Sequence, residues 1–144
     1  MKSSIAVPLE RIEDRILLVR GHKVLLDADL AALYGVTTKR LNEQVKRNRE
    51  RFPDDFVFRL NADETKTLDR SQIATGSLKH RDPRFAPYAF TEHGTIMAAM
   101  VLNSPRATEV SLYVVRAFVH LREFLASHKD LARRLVRPDE RKRG

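Results

Sequence analysis

The chain has 144 residues, enough for one domain of ordinary size, and 42% of them are hydrophobic, which supports a packed core rather than disorder throughout. It contains no cysteine, which excludes a disulfide framework and a thiolate metal site and fits a reducing, intracellular setting. With 27 Lys and Arg against 19 Asp and Glu the formal charge is +8, an excess that attracts a polyanion, either nucleic acid or an anionic membrane surface.

The opening MKSSIAVPLE lacks the apolar run of a signal peptide, and no stretch approaches the roughly 18 apolar residues of a membrane span. A soluble, cytoplasmic protein is expected, with residues 1–9 a flexible start. Residues 12–20, IEDRILLVR, carry β-branched and apolar side chains. With a turn at Gly21-His22 and an extended Lys23–Leu26 they predict a β-hairpin. Asp27 or Asp29 can cap a helix containing LAALY, which Gly35 stops. Thr37 or Thr38 caps a second helix running to about Arg49. FVFRL, residues 56–60, alternates like a half-buried strand, and Asn61-Ala-Asp-Glu resembles a helix's first turn. Residues 71–87 predict a loop or a strand pair with a flexible tip. YAFT predicts a short strand, Thr91 caps a helix over Glu92–Leu102, and Ser104-Pro105 opens a last helix to about Ser127. Residues 128–144 read as a basic, polar tail. There is no internal repeat. The fold class is α+β.

The positive charge is clustered. Residues 37–51 hold six basic and two acidic side chains, net +4, and residues 129–144 hold seven and three, again +4. Between them, residues 52–65 hold one basic and four acidic, net −3.

A helix-turn-helix needs a short first helix, a tight turn and a second helix whose outer face can enter the major groove. Residues 27–51 meet each demand. Ala31 is small enough for the second helix to cross the first. Gly35 supplies the positive φ of the turn. Leu30, Tyr34, Val36, Leu41 and Val45 form an apolar seam. At 3.6 residues per turn, Lys39, Glu43, Lys46 and Arg47 project opposite Leu41 and Val45, with Arg40 and Asn42 flanking. Arg and Lys suit guanine acceptors or phosphates, Asn suits adenine, and Thr37 or Thr38 can bond a phosphate at the helix N-terminus. Arg49 and Arg51 follow, and a loop with Lys79, His80, Arg81 and Arg84 can grip the backbone as a basic wing. Two features oppose this reading. Gln44 stands where a second apolar residue is wanted, and Glu43 repels phosphate unless it accepts from cytosine or holds an Arg. By local pattern alone, a helical hairpin with a solvated basic face explains the segment as well.

The combination of LYGV, LNEQVKRN, RFPDDFVF and YAFTEHG over residues 10–127 resembles the KilA-N-type DNA-binding domains of phages, prophages and large DNA viruses, to which viral Bro-N domains are related. It is most similar to the phage family named for the N-terminal domain of an open reading frame six product. The resemblance implies a DNA-binding module of phage regulators and antirepressors. Many relatives carry a second, C-terminal domain, which the short tail here does not supply. The resemblance implies no catalytic residue, so the contact residues above rest on helix geometry.

Thr91-Glu92-His93 invites an acid–base reading, but adjacent helical residues point about 100° apart and no third group is implied. His22, His80, His93, His120 and His128 show no metal-ligand spacing such as HExxH. The last helix carries two apolar stripes. Val110, Val114, Phe118, Leu121 and Leu125 are expected at a homodimer contact, because helix-turn-helix proteins commonly pair on two half-sites. The alternative is that neighbouring elements cover both stripes. The expected function is binding of double-stranded DNA in transcriptional regulation, without cofactor, metal or catalysis. A protein-interaction module acting on a repressor remains the alternative.

Overall fold

The computed structural model describes residues 9–70 and 86–136. Helix α1 (Leu9–Glu13) leads into strands β1 (Leu17–Val19) and β2 (His22–Leu26), followed by helices α2 (Asp27–Tyr34) and α3 (Thr38–Arg47) and a 3₁₀ turn over Arg49–Arg51. Then come β3 (Val57–Arg59), α4 (Ala62–Arg70), β4 (Tyr88–Phe90), α5 (Glu92–Leu102) and the long α6 (Pro105–Val136). The fold is α+β. Among the described residues four strands form one antiparallel sheet in the order β1-β2-β4-β3, which leaves β3 on an edge.

The residues expected to form an N-terminal strand divide into a helix and a shorter strand. LERIE consists largely of helix formers, and Ile12 and Ile16, four apart, are both buried in the cluster that α6 shares. The hairpin turn is Arg20-Gly21 rather than Gly21-His22, because Val19 pairs with His22 and leaves a two-residue loop. Both turn residues have positive φ, 54° and 79°, the geometry whose twist matches a hairpin. Arg20 is held there by a bidentate pair with Glu64 at 2.7 and 2.8 Å and by the Phe58 ring, 4.5 Å beneath its guanidinium.

One core cluster lies between the sheet and helices α1, α2, α3, α5 and α6, around Leu25, Leu30, Tyr34, Leu41, Phe90, Val110, Val114 and Phe118. A smaller cluster, with Val24, Leu26, Leu60 and Ala89, is joined by Leu68 of α4. Helix α4 opens on a reciprocal capping box. The Glu64 N–H donates to Asn61 Oδ1 and the Asn61 N–H donates to Glu64 Oε1, both at 2.8 Å.

Thr91 accepts from the Gly94 N–H as the cap of α5, and its Oγ1 also donates to the Asp55 carbonyl at 2.8 Å. This ties α5 to the approach to β3. Gly94 sits under that approach, where an added Cβ would lie 2.0 Å from the Phe56 carbonyl oxygen. Glycine is the residue that fits.

Helix α6 continues nine residues beyond the expected end at Ser127. HKDLARRLV contains no Gly or Pro, so nothing stops the helix before Pro138. The tail expected from residue 128 is helical as far as Val136. Residues 1–8, expected to be flexible, and 137–144 lie outside the described residues.

Candidate nucleic-acid interface

Helix α2 starts at Leu26 as N-cap without a side-chain cap, so Asp27 and Asp29 occupy its first turn rather than capping it. Both are buried, close to the positive end of the helix dipole. Asp29 pairs with Arg15. The helix ends on Gly35 at φ 75°, whose N–H returns to Ala32 O at 3.3 Å, while the Val36 N–H bonds Ala31 O at 3.0 Å. Arg106, at the start of α6, lies over this turn. Its Nε donates to the Leu33 carbonyl at 3.1 Å, and a Cβ on Gly35 would meet its Cδ at 2.6 Å.

Three residues separate α2 from α3. Thr37 caps α3, accepting from the Arg40 N–H at 3.0 Å. The expected seam is present: Leu30, Ala31, Tyr34, Leu41 and Val45 are buried and Val36 packs partly against them. Tyr34 reaches further, donating from its hydroxyl to the Thr95 carbonyl at 2.8 Å and so joining α2 to α5. Burial raises its phenol pKa far above the usual value, so it is a fixed neutral donor.

With the rear of α3 fixed, its front is exposed. Lys39, Arg40, Glu43, Lys46 and Arg47 all face solvent, as do Thr37 and, on the following 3₁₀ turn, Arg49 and Arg51; Thr38 is half-buried. Asn42 departs from the expectation. Its side chain turns sideways, and Nδ2 donates to Asp27 Oδ2 at 3.0 Å. The Tyr88 N–H donates to the same carboxylate oxygen at 3.2 Å. Asn42 is therefore a strut between α3, α2 and β4, and its buried Oδ1 has no hydrogen-bond partner among the described residues. Its position, about 100° from Leu41 of the buried seam, puts it at the helix's flank, where a buried carboxylate captures its amide. Lys79, Arg81 and Arg84 of the expected wing lie outside the described residues.

Beside α3 is an open depression of about 280 Å³. Lys46, Arg49, Asp54, Phe58, Arg59 and Tyr88 are among the residues that line it. Arg59 was not among the residues expected to touch DNA, because FVFRL reads only as a strand. Its guanidinium stacks 4.4 Å above the Tyr88 ring and donates to the Tyr88 hydroxyl at 3.1 Å. Gly94 and Arg106 were likewise unmarked, and Asp27 was expected only as a helix cap. Each acts through a partner far along the chain that local spacing does not reveal.

The residues expected at a dimer contact are mostly interior. Val110 and Val114 are fully buried and Phe118 is 1% exposed; Leu121 packs partly against the core. Helices α1, α2 and α5 pack against α6, so the stripe expected at a dimer contact is largely covered within one chain. Only Leu125, 45% exposed, is open to a partner, together with Leu112 and Phe124. The Thr91-Glu92-His93 triplet is also committed internally. Thr91 caps α5, Glu92 pairs with Arg122 at 2.7 Å, and His93 stacks on Phe56. Among the described residues no three His, Asp or Glu side chains come together as a metal site, and no helix is long and apolar enough to cross a membrane.

The family model of the ORF6N domain matches residues 14–101, more than half of the chain. The protein belongs to the ORF6N family. No curated protein and no solved structure matches it. The ORF6N match runs from the end of α1 through the sheet, the α2–α3 pair and nearly all of α5. Helix α6, which supplies Ala107, Val110, Val114, Ala117 and Phe118 to the core, lies beyond it.

Proposed function

We propose that this ORF6N protein binds double-stranded DNA, with α2, the Gly35 turn and α3 acting as a helix-turn-helix whose second helix lies in the major groove. The observation that carries the reading is the exposed front of α3, where Lys39, Arg40, Lys46 and Arg47 surround the single acid Glu43 on a helix whose rear is locked into the core. A rigidly held basic helix presents donors to base edges and phosphates without reorganisation. Thr37, Thr38, Arg49 and Arg51 extend the cationic or donor surface at its two ends. With Asn42 committed to Asp27, base readout falls to the front residues. We further propose a KilA-N-like, phage- or prophage-derived regulator or antirepressor in the cytoplasm. It acts without catalysis and binds DNA as a homodimer.

Titration of a duplex at several salt concentrations tests the central claim. Lys46→Ala with Arg47→Ala weakens binding and lowers the slope of log affinity against log salt by about 0.9 for each phosphate no longer neutralised. Unchanged affinity and slope would overturn the reading. That outcome would also favour the interaction module, for which α6 substitutions at Phe124 and Leu125 abolish activity instead. Selection of bound fragments from random duplexes reports specificity, and a palindromic motif reports the dimer.

A further inference from the structure

The depression beside α3 has a property that a solvated helix face lacks. Its cations come from three separate elements: Lys46 from α3, Arg49 from the 3₁₀ turn and Arg59 from the edge strand β3. Among the described residues only Asp54 on the lining opposes them. Bringing like charges to one concavity is unfavourable without an anion to share. Arg59 is also positioned in advance. The Tyr88 ring lies under it, the Tyr88 hydroxyl and the Ala86 carbonyl accept from it at 3.1 and 3.4 Å, and the Tyr88 backbone is itself anchored on buried Asp27. A guanidinium has five N–H donors in a planar fork, so these partners leave donors for a further oxygen. Lys46 belongs both to this concavity and to the exposed front of α3, which makes the two surfaces continuous.

We infer that this depression seats one backbone phosphodiester of a DNA duplex, with Arg59 as the fixed donor and Lys46 and Arg49 closing around the same phosphate. The inference rests on the DNA-binding reading and extends the footprint from a helix to the edge of the sheet. A contact of this kind carries no sequence information and fixes how deeply and at what angle α3 enters the groove. Arg59 is thus a positioning residue as well as a source of affinity.

The test uses the full chain and a mixed-sequence duplex of about two helical turns, measured between 50 and 200 mM salt. Arg59→Gln and Arg49→Gln are compared with Arg59→Lys and with the Lys46→Ala, Arg47→Ala double variant. Each Gln variant is expected to lower the salt slope by at most about 0.9, the share of the one phosphate, so that the affinity ratio across that salt range falls by at most about threefold. The loss is the same for preferred and unrelated sequences, and Arg59→Lys restores most of the slope. Melting temperatures control for removal of the Tyr88 stack. Arg49 is exposed and not part of that stack, so it keeps the test valid if Arg59→Gln destabilises the fold. If both Gln variants match the parent while the double variant loses affinity and slope, the phosphate seat is overturned and the helix reading stands. If the parent binds no duplex, or the double variant also matches it, the helix reading fails and the seat fails with it.

Discussion

Single residues here have roles that their neighbours in sequence do not announce. At Gly94 the nearest obstacle to a Cβ is a backbone carbonyl 2.0 Å away, which cannot swing aside. Gly94→Ala is expected to cost about 3 kcal/mol, read as a fall in the urea midpoint, by forcing β3 away from α5. Gly35 combines a positive φ with the overlying Arg106 side chain, and the two causes separate in a double-mutant cycle. In an Arg106→Ala background, Gly35→Ala should cost only the left-handed backbone term, about 1 kcal/mol, and more in the parent. Equal costs in both backgrounds would show that Arg106 yields freely. Glu64 supplies a pH dependence. Its hydrogen bonds from Arg20 hold its carboxyl below the ordinary value, so its stabilisation is present above the unfolded pKa and is lost as pH falls through the folded one. Glu64→Gln can keep the Oε1 acceptor of the capping box but removes the charge and the Oε2 acceptor of the Arg20 Nε–H. The variant should melt below the parent at pH 7 and together with it near pH 2.

Elements were legible where their signals are local. The Thr37 and Thr91 caps, the Gly35 stop, the Asn61 box and the Pro105 start are all carried by residues within four positions of one another, and the structure places each where spacing predicts it. The failures share a different cause. IEDRILLVR looks extended by composition, yet Ile12 packs in the core beside α6, and the Glu13 carboxylate lies 2.5 Å from His120 Nδ1, 107 positions away. Asn42 suits an adenine by residue type, but Asp27 takes its amide. The front of α3 was readable because helical period alone sets it, whereas Arg59 depends on which strand pairs with β4. Capping also yields a prediction at this scale. Thr37→Ala should lower stability by about 1 kcal/mol and fray the first turn of α3. A duplex would then bind more weakly with an unchanged salt slope, since the substitution removes no cation.

The whole molecule is organised by α6. It touches α1, α2 and α5, and five of its side chains are fully buried or nearly so. Truncation after Leu102, close to the end of the ORF6N match, should leave an aggregating chain without a cooperative thermal transition. Truncation after His128 should retain the fold, because it leaves in place every α6 side chain that is buried among the described residues. A stable 1–102 fragment with native far-UV dichroism would refute this. Within the core, Val114→Ala should cost about 2 kcal/mol in a monomer and in a dimer alike, whereas a dimer contact would make the loss depend on protein concentration. The clasp of Arg106 on the Leu33 carbonyl closes a loop of 73 residues. During synthesis, α2 and α3 therefore leave the ribosome long before the part that fixes their turn exists. At roughly 5–20 residues per second that interval is on the order of several seconds, a window in which the basic helix is made but not yet set.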